Sequence, residues 1–167
     1  MGRHPHLKQT HNPKATVLNT EELAFLSSTV TQIIVDHYVS EPDFTSLDLS
    51  PFCKLYQLEI GKDCFTFVDE VKLVGLKQLA SVVIGKNSFT KKKDGWGHDP
   101  NRHFYLKDCP SLKKLKMGCH SFSDYTVCEI ENVDALETIT MGLVKDWSWN
   151  FYSASLELRS ILIHIEQ

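Results

Sequence analysis

The stretch LYQLEIGKDCF, residues 55–65, carries the pattern that decides the fold. Its key positions are Leu55, Leu58, Ile60, Gly61 and Phe65. The same spacing returns 24 residues later, again after a further 33, and once more after another 24. The later copies are Leu79, Val82, Ile84, Gly85 and Phe89; Leu112, Leu115, Met117, Gly118 and Phe122; and Leu136, Ile139, Met141 and Gly142, with Asp146 in the phenylalanine position. Recurrence at this many positions predicts a repeat protein.

A second apolar pattern lies upstream of each copy, and a fainter one, at residues 30–35, precedes them all. In both patterns the apolar residues alternate at period two, which is typical of a strand with one buried face. A glycine follows one strand of every repeat where the chain turns, so a positive backbone φ is predicted there. A single repeat buries too little apolar surface to fold alone, and the repeats are expected to stack. The upstream positions are Leu47, Leu49 and Phe52; Val71, Leu73 and Leu76; Phe104, Leu106 and Cys109; and Cys128, Ile130 and Val133.

With h for an apolar residue, the combined pattern is h-x-h-x-x-h-x-x-L-x-x-h-x-h-G-x-x-x-F, and it resembles a leucine-rich repeat of the BspA-like variety. In that family, L-x-x-h-x-h segments alternate with a phenylalanine-containing segment at a similar period. The asparagine of the commoner leucine-rich repeats is missing, and glycine stands at the turn instead. The resemblance implies a mainly β, right-handed leucine-rich-repeat solenoid with parallel short strands. It implies almost nothing about chemistry, because one fold serves many functions.

The Gly-Lys pairs at Gly61 and Gly85 invite comparison with a phosphate-binding loop. That loop needs a glycine five residues before the Gly-Lys pair and a Ser or Thr directly after it. The first copy has Tyr56 and Asp63 at these two positions, and the second has an alanine and an asparagine. The sequence therefore excludes a phosphate loop and predicts no cofactor.

Composition limits the classes of partner. The net charge of −3 and the pI of about 6.2 argue against sequence-independent nucleic-acid binding, which needs a basic surface. No apolar run approaches the ~20 residues of a membrane span, and no signal peptide is recognisable. The five cysteines are an odd number without a C-x-x-C pair, which indicates reduced thiols, no zinc site and a cytoplasmic location. We expect a monomer.

The repeat register divides the chain into a tail and one domain. Residues 1–18 lack periodicity and are predicted to be a mobile N-terminal tail, with the solenoid over 19–167. A short capping helix is predicted at about 19–28, because Asn19 suits an N-cap and Glu22 follows three residues later. Residues 90–102 interrupt the register and are predicted to form an insertion loop. Trp147, Trp149 and Phe151 are expected to close the C-terminal end.

Two regions are candidates for a protein-binding surface. The first is the insertion, where the basic run Lys91, Lys92 and Lys93 precedes Trp96, and exposed tryptophan is enriched at interaction hot spots. The alternative for this ring is that it folds back over the flank of the solenoid. The second region comprises the outward positions of the strands, which mix charge and polarity and imply no single class of ligand. One row is Glu59, Val83, Lys116 and Thr140, and the other is Asp48, Lys72, Tyr105 and Glu129.

Three functions remain open from the sequence. The first is a non-catalytic protein-protein interaction module, and the second is a structural or adhesive fragment of a larger repeat protein. The third and weakest is a metal-dependent hydrolase that uses the 90–103 segment, where His98, Asp99 and His103 are potential ligands. A solvated polar loop explains the same residues. His120, Ser121 and Asp124 are close in sequence, but polar residues are expected at their turn and a triad is recognised by geometry.

Overall fold

The computed structural model describes residues 14–91, 97–143 and 147–159. Over these ranges the chain is mainly β, and no helix is long and apolar enough to cross a membrane. The elements are β1 Lys14–Val17, α1 Thr20–Ala24, β2 Gln32–Val35, β3 Ser46–Asp48, β4 Gln57–Ile60, β5 Glu70–Val74, β6 Ser81–Ile84, β7 Asp99–Lys107, β8 Lys114–Met117, β9 Tyr125–Glu131, β10 Thr138–Met141 and β11 Ser155–Arg159.

The strands form two parallel sheets. Sheet 1 has the order β1-β2-β4-β6-β8-β10, and sheet 2 has the order β11-β9-β7-β5-β3. From β2 onward the chain alternates between the two sheets. We call one pair of successive strands a coil, and every coil contributes one strand to sheet 1 and one to sheet 2. Leu58 lies beside Val82, which lies beside Leu115. Residues at equivalent positions of the sequence repeat therefore lie side by side in neighbouring strands.

A column of phenylalanine rings runs through the core between the sheets. Phe44, Phe65, Phe89, Phe122 and Phe151 follow one another with centroid distances of 5.7, 5.2, 4.7 and 4.9 Å. The three phenylalanines of the repeat pattern, Phe65, Phe89 and Phe122, are buried in this column. Aromatic pairs of this kind contribute ~0.5–1.5 kcal/mol beyond the burial of their area.

The last member of the column corrects the sequence prediction, which placed Asp146 in the phenylalanine position. Phe151 fills that position, because the last coil is five residues longer between Gly142 and its phenylalanine than the other copies are. Asp146 lies outside the described residues. Of the residues expected to close this end, Phe151 packs into the core, whereas Trp147 stays exposed with its ring 5.6 Å from that of Trp149.

The positive φ angles also lie elsewhere than predicted. Gly142 has a φ of +66°, but the three earlier glycines of the repeat do not have positive φ. At Gly85 a Cβ atom would stand 2.5 Å from the carbonyl carbon of Gly61, so close approach of successive coils explains that glycine. Left-handed φ falls two and four residues later, at residues such as Asn87 and Phe89. Asparagine and aspartate tolerate this region better than other non-glycine residues.

The N-terminal end is more ordered than the sequence indicates. β1 Lys14–Val17 pairs in parallel with β2, although it lies inside the predicted mobile tail 1–18, of which residues 1–13 are not described. The helix Thr20–Ala24 is shorter than the predicted 19–28. Asn19 caps it, since its side chain accepts from the Glu22 amide at 3.1 Å. The end of the helix is closed by three-residue turns, in which the Phe25 amide donates to the Glu22 carbonyl and the Leu26 amide to the Leu23 carbonyl.

The predicted insertion loop 90–102 is partly strand. β7 begins at Asp99, which pairs with Tyr125, and the register shifts between Asp99 and His103. Residues 92–96 lie outside the described ranges. The strand extends into the insertion because the side chain of Arg102 is fully buried and bonded to the neighbouring coils.

Candidate protein-interaction surfaces

The predicted outward row of sheet 1 is present as a continuous row. Glu59 on β4, Val83 on β6, Lys116 on β8 and Thr140 on β10 lie beside one another in register. Strands stand ~4.8 Å apart, so the four residues span about 14 Å. Ile34 extends the row on the other side of Glu59. The sequence therefore predicted both the membership and the order of this row.

Two charged side chains of this face, Glu59 and Lys116, are available to a partner. Both are exposed, and neither makes an ion pair or a side-chain hydrogen bond with any residue that the structure describes. Val83, which lies between them, and Ile34, which lies beyond Glu59, are half-buried and leave some apolar surface exposed. This part of the outer face of sheet 1 thus combines apolar centres with two unpaired charges.

Tyr105 lies on the other sheet and in a different environment. Its hydroxyl is 3.1 Å from Nδ1 of His103, and the Lys107 ammonium stands 5.3 Å from its ring centroid. Partial burial, with the nearby Glu129 carboxylate, raises the pKa of the Tyr105 phenol. The structure separates Tyr105 from the row of Glu59 and Lys116 by the thickness of the core.

Most charges on the outer face of sheet 2 are already paired. Short ion pairs link Lys72 to Glu70, Lys107 to Glu129 and Arg159 to Glu157. Hydrogen bonds to these carboxylates are the main cause that raises the pKa of Lys72 and of Lys107. Because a partner that uses these charges must first displace the existing pairs, this face is the poorer candidate for an interaction surface.

The candidate residues of the insertion are only partly described. Lys92, Lys93 and Trp96 lie outside the described residues, so the predicted hot spot stays a prediction. Lys91 is described, and its ammonium is 3.2 Å from Asp69. Its backbone amide donates to the Asp124 carboxylate at 3.1 Å.

A buried cation that the sequence analysis missed lies at the other end of the insertion. The guanidinium of Arg102 is 2.7 Å from Oδ2 of Asp124 and donates to the carbonyl oxygens of Thr66 and Val68. It also stands 4.7 Å from the ring centroid of Tyr125. Arg102 is 0% exposed and Asp124 only 2%. Asp124 lies in a turn, as expected for a polar residue there, but it is buried and ion-paired.

The Arg102 cluster fixes both ends of the insertion. Lys91 and Arg102 lie at its two ends, and both donate hydrogen bonds to the carboxylate of Asp124. Asp69 contacts the same two residues from the neighbouring coil, at 3.2 and 3.4 Å. The sequence contains a signal for this cluster, since Arg102 has the same inward parity on its strand as Phe104. A charged residue at a core position requires a buried partner.

Two of the three residues proposed as metal ligands, Asp99 and His103, are engaged locally, and the third, His98, is exposed. The His103 ring nitrogens lie near the Pro100 carbonyl oxygen and the Tyr105 hydroxyl, and the Asp99 carboxylate accepts from the Asn101 amide. Within the described ranges no group of three or more His, Cys, Asp or Glu side chains is placed to hold a metal. The hydroxyl of Ser121 donates to the Gly85 carbonyl at 2.7 Å.

The cysteines are free thiols, and four of the five are buried. Cys109 is a core residue, as its repeat position predicts. Burial raises the pKa of Cys64 and of Cys109 to about 11 and that of Cys128 to about 12, so these thiols stay protonated at neutral pH. Protonated, buried thiols are poor nucleophiles and poor metal ligands.

Comparisons of this chain with protein-family models, with curated proteins and with solved structures find no match. The resemblance to BspA-like leucine-rich repeats consequently stays a prediction. What the structure shows is a mainly β fold of two parallel, repeat-like sheets, with Glu59 and Lys116 exposed on the outer face of one of them.

Proposed function

We propose that this chain is a non-catalytic protein-protein interaction module, built as a right-handed leucine-rich-repeat solenoid of the BspA-like kind. It binds another protein through the outer face of sheet 1, and it acts as a cytoplasmic monomer without a cofactor. The observation that carries the proposal is the in-register row Glu59, Val83, Lys116 and Thr140 with its free charges.

The physics of such a surface favours binding. The backbone of a paired strand is ordered before the partner arrives, so less conformational entropy is lost on association. Val83 supplies apolar contact at the centre of the row, and the charges of Glu59 and Lys116 flank it. Flanking charges steer encounter and select the partner, because like-charge contacts with a wrong partner are unfavourable.

The test compares a charge reversal on each sheet. Lys116→Glu alters the row on sheet 1, and Lys72→Glu makes the same change on sheet 2. Each tagged full-length variant is used to capture proteins from the source cells, with quantification by mass spectrometry beside the wild type. We expect one partner that the wild type and Lys72→Glu capture equally and that Lys116→Glu loses.

A partner that is lost equally with both variants, or with neither, would contradict the assignment of the surface. Both substituted positions are on the outside of their sheets, so unfolding is not expected to explain a loss. Thermal denaturation followed by circular dichroism verifies this for each variant.

A structural or adhesive fragment of a repeat array is the second candidate. The observation in its favour is that the last described coil leaves inward-facing side chains uncovered, with Leu156 51% and Leu158 59% exposed. An array predicts end-to-end assembly of the purified chain, which sedimentation velocity would detect as a mass that grows with concentration. The metal-dependent hydrolase has no comparable observation in its favour among the described residues.

A further inference from the structure

Strand β8 carries two lysines on the outer face of sheet 1. Lys114 and Lys116 are alternate residues of the strand and both are exposed, whereas Leu115 between them is buried. A strand rises ~3.4 Å per residue, so the two side chains leave the sheet ~6.8 Å apart. The strand therefore presents two positive charges at a fixed spacing.

The strands on both sides of β8 leave these two charges unbalanced. Glu59 stands two strands away from Lys116, at ~9.6 Å along the row. Glu137, which precedes β10, is 3.5 Å from the ammonium of Lys113. Neither Lys114 nor Lys116 makes an ion pair or a side-chain hydrogen bond with the described residues. The residues beside them in register are uncharged, namely Ser81, Val83, Thr138 and Thr140.

Hydroxyl groups flank the two lysines. Ser81 and Thr138 lie on either side of Lys114, and Thr140 lies beside Lys116. None of these three hydroxyls is hydrogen-bonded to another residue of the described ranges. A hydroxyl can donate to a carboxylate, as an ammonium does. A carboxylate placed over β8 therefore meets donors of both kinds.

We propose that this part of sheet 1 binds an extended acidic segment of a partner protein, in which two carboxylates at alternate positions lie over Lys114 and Lys116. The inference rests on the proposed function, because it names the chemistry of the partner that the same face binds. An extended segment has the rise of β8, so its side chains two residues apart match the ~6.8 Å between the lysines. Complementary charge of this kind steers encounter and selects the partner.

A second copy of this chain is the poorer occupant. Its own acidic pair with the required spacing is Glu129 and Glu131, which alternate on the outer face of β9. These carboxylates are already ion-paired, Glu129 with Lys107 and Glu131 with both Lys107 and Arg159. A second copy would first have to break these pairs, which favours a segment of a different protein.

Two blocked peptides of identical composition, GTETETG and GTEETTG, test the spacing. In an extended chain the alternate glutamates of the first lie on one face, and the adjacent glutamates of the second lie on opposite faces. Each peptide is titrated into the isotopically labelled full chain, and amide chemical shifts give the dissociation constant and the location. We expect the alternate peptide to bind about threefold more tightly, because it makes one more contact between a carboxylate and a lysine. The shifts are expected on β6, β8 and β10.

A double variant tests the two lysines directly. Lys114→Gln with Lys116→Gln removes both charges from the outside of the sheet and should abolish the preference for the alternate peptide. Lys54→Gln with Lys77→Gln is the matched control, because it makes the same change in net charge at two exposed lysines of the turns that lead to sheet 1. The control should keep the preference. Thermal denaturation verifies that both double variants are folded.

Absent binding, or equal binding of the two peptides, would overturn the proposal, because diffuse attraction of anions, nucleic acids included, has no preference for spacing. Shifts confined to other strands, or a preference that survives Lys114→Gln with Lys116→Gln, would overturn it as well. Self-association that this double variant abolishes would assign the lysines to a second copy instead. The capture experiment with Lys116→Glu tests the surface separately. A partner lost there, together with equal binding of the peptides, would refute the acidic segment and leave the surface in place.

Discussion

The buried pair of Arg102 and Asp124 allows the sharpest test of the structure. Removal of one member leaves the other as an uncompensated buried charge, which costs ~3–5 kcal/mol in known cases. Arg102→Met also removes the donor to the carbonyl oxygens of Thr66 and Val68. We therefore expect Arg102→Met to lower the free energy of unfolding by about 4 kcal/mol.

Asp124→Asn is expected to cost less than Arg102→Met. The asparagine keeps the shape of the side chain, and Asp69, 3.4 Å from Nε of Arg102, still offers the guanidinium a carboxylate. Solvent weakens that second contact, because the Asp69 side chain is 36% exposed. A loss of about 2–3 kcal/mol follows for Asp124→Asn.

The double variant separates the pair from its surroundings. With Arg102→Met and Asp124→Asn together no unpaired buried charge remains, so the total loss is expected to fall short of the sum by about 2 kcal/mol. Urea unfolding followed by circular dichroism measures all four free energies. The exposed pair Lys113 and Glu137, 3.5 Å apart, supplies the control, and Glu137→Gln should leave the unfolding midpoint almost unchanged. Additive losses, or single losses no larger than the control, would refute the buried ion pair.

Three further outcomes are expected. Phe89→Ala should lower the free energy of unfolding by ~3–5 kcal/mol in the same urea assay, because the ring stacks on rings of both neighbouring coils. A loss below ~1 kcal/mol would contradict the stacked column of phenylalanine rings. Gly85→Ala should lower the melting temperature, because the added Cβ atom would stand 2.5 Å from Gly61, whereas Gly75→Asn should be tolerated, because Gly75 has a φ of +72° and nothing lies within 4 Å of an added Cβ atom. Equal melting temperatures of the two variants would disprove this difference. At pH 8, a thiol reagent should modify Cys53 quickly in the native protein and all five cysteines only after denaturation, because burial protects the other four and also raises the pKa of Cys64, Cys109 and Cys128. Rapid modification of several native thiols would be inconsistent with the core.

The repeat positions could be predicted from sequence because stacking applies the same requirement to every coil. An inward residue of a parallel strand meets its counterparts on both sides, so it has to be apolar in each copy. Leu58, Val82 and Leu115 satisfy this requirement, and their spacing gave the register directly. The outward row followed from the same parity, since alternate residues of a strand point to opposite faces.

The features that were missed depend on contacts between coils. The fixed spacing did not predict that Phe151 fills the phenylalanine position, because the last turn contains extra residues. The glycines were expected to have positive φ, but the space between coils at Gly85 is too small for a side chain in any conformation. Arg102 falls in the segment that interrupts the repeat register, which predicts a loop. Its parity with Phe104 marks it as inward, but its partner Asp124 is 22 residues away, and no local pattern connects the two.

Under the proposed function, substitutions on the two sheets test different properties, stability on sheet 2 and recognition on sheet 1. On sheet 2 the buried Arg102 cluster lies at the edge of the strands, so substitutions in that cluster disturb the fold and any binding together. On sheet 1, the side chains of Lys116 and Glu59 make no ion pair or hydrogen bond with the described residues. Selection for stability alone gives no reason for charge at those two positions. A loss of binding in Lys116→Glu at an unchanged melting temperature would therefore measure recognition alone, which is the property that an interaction module requires.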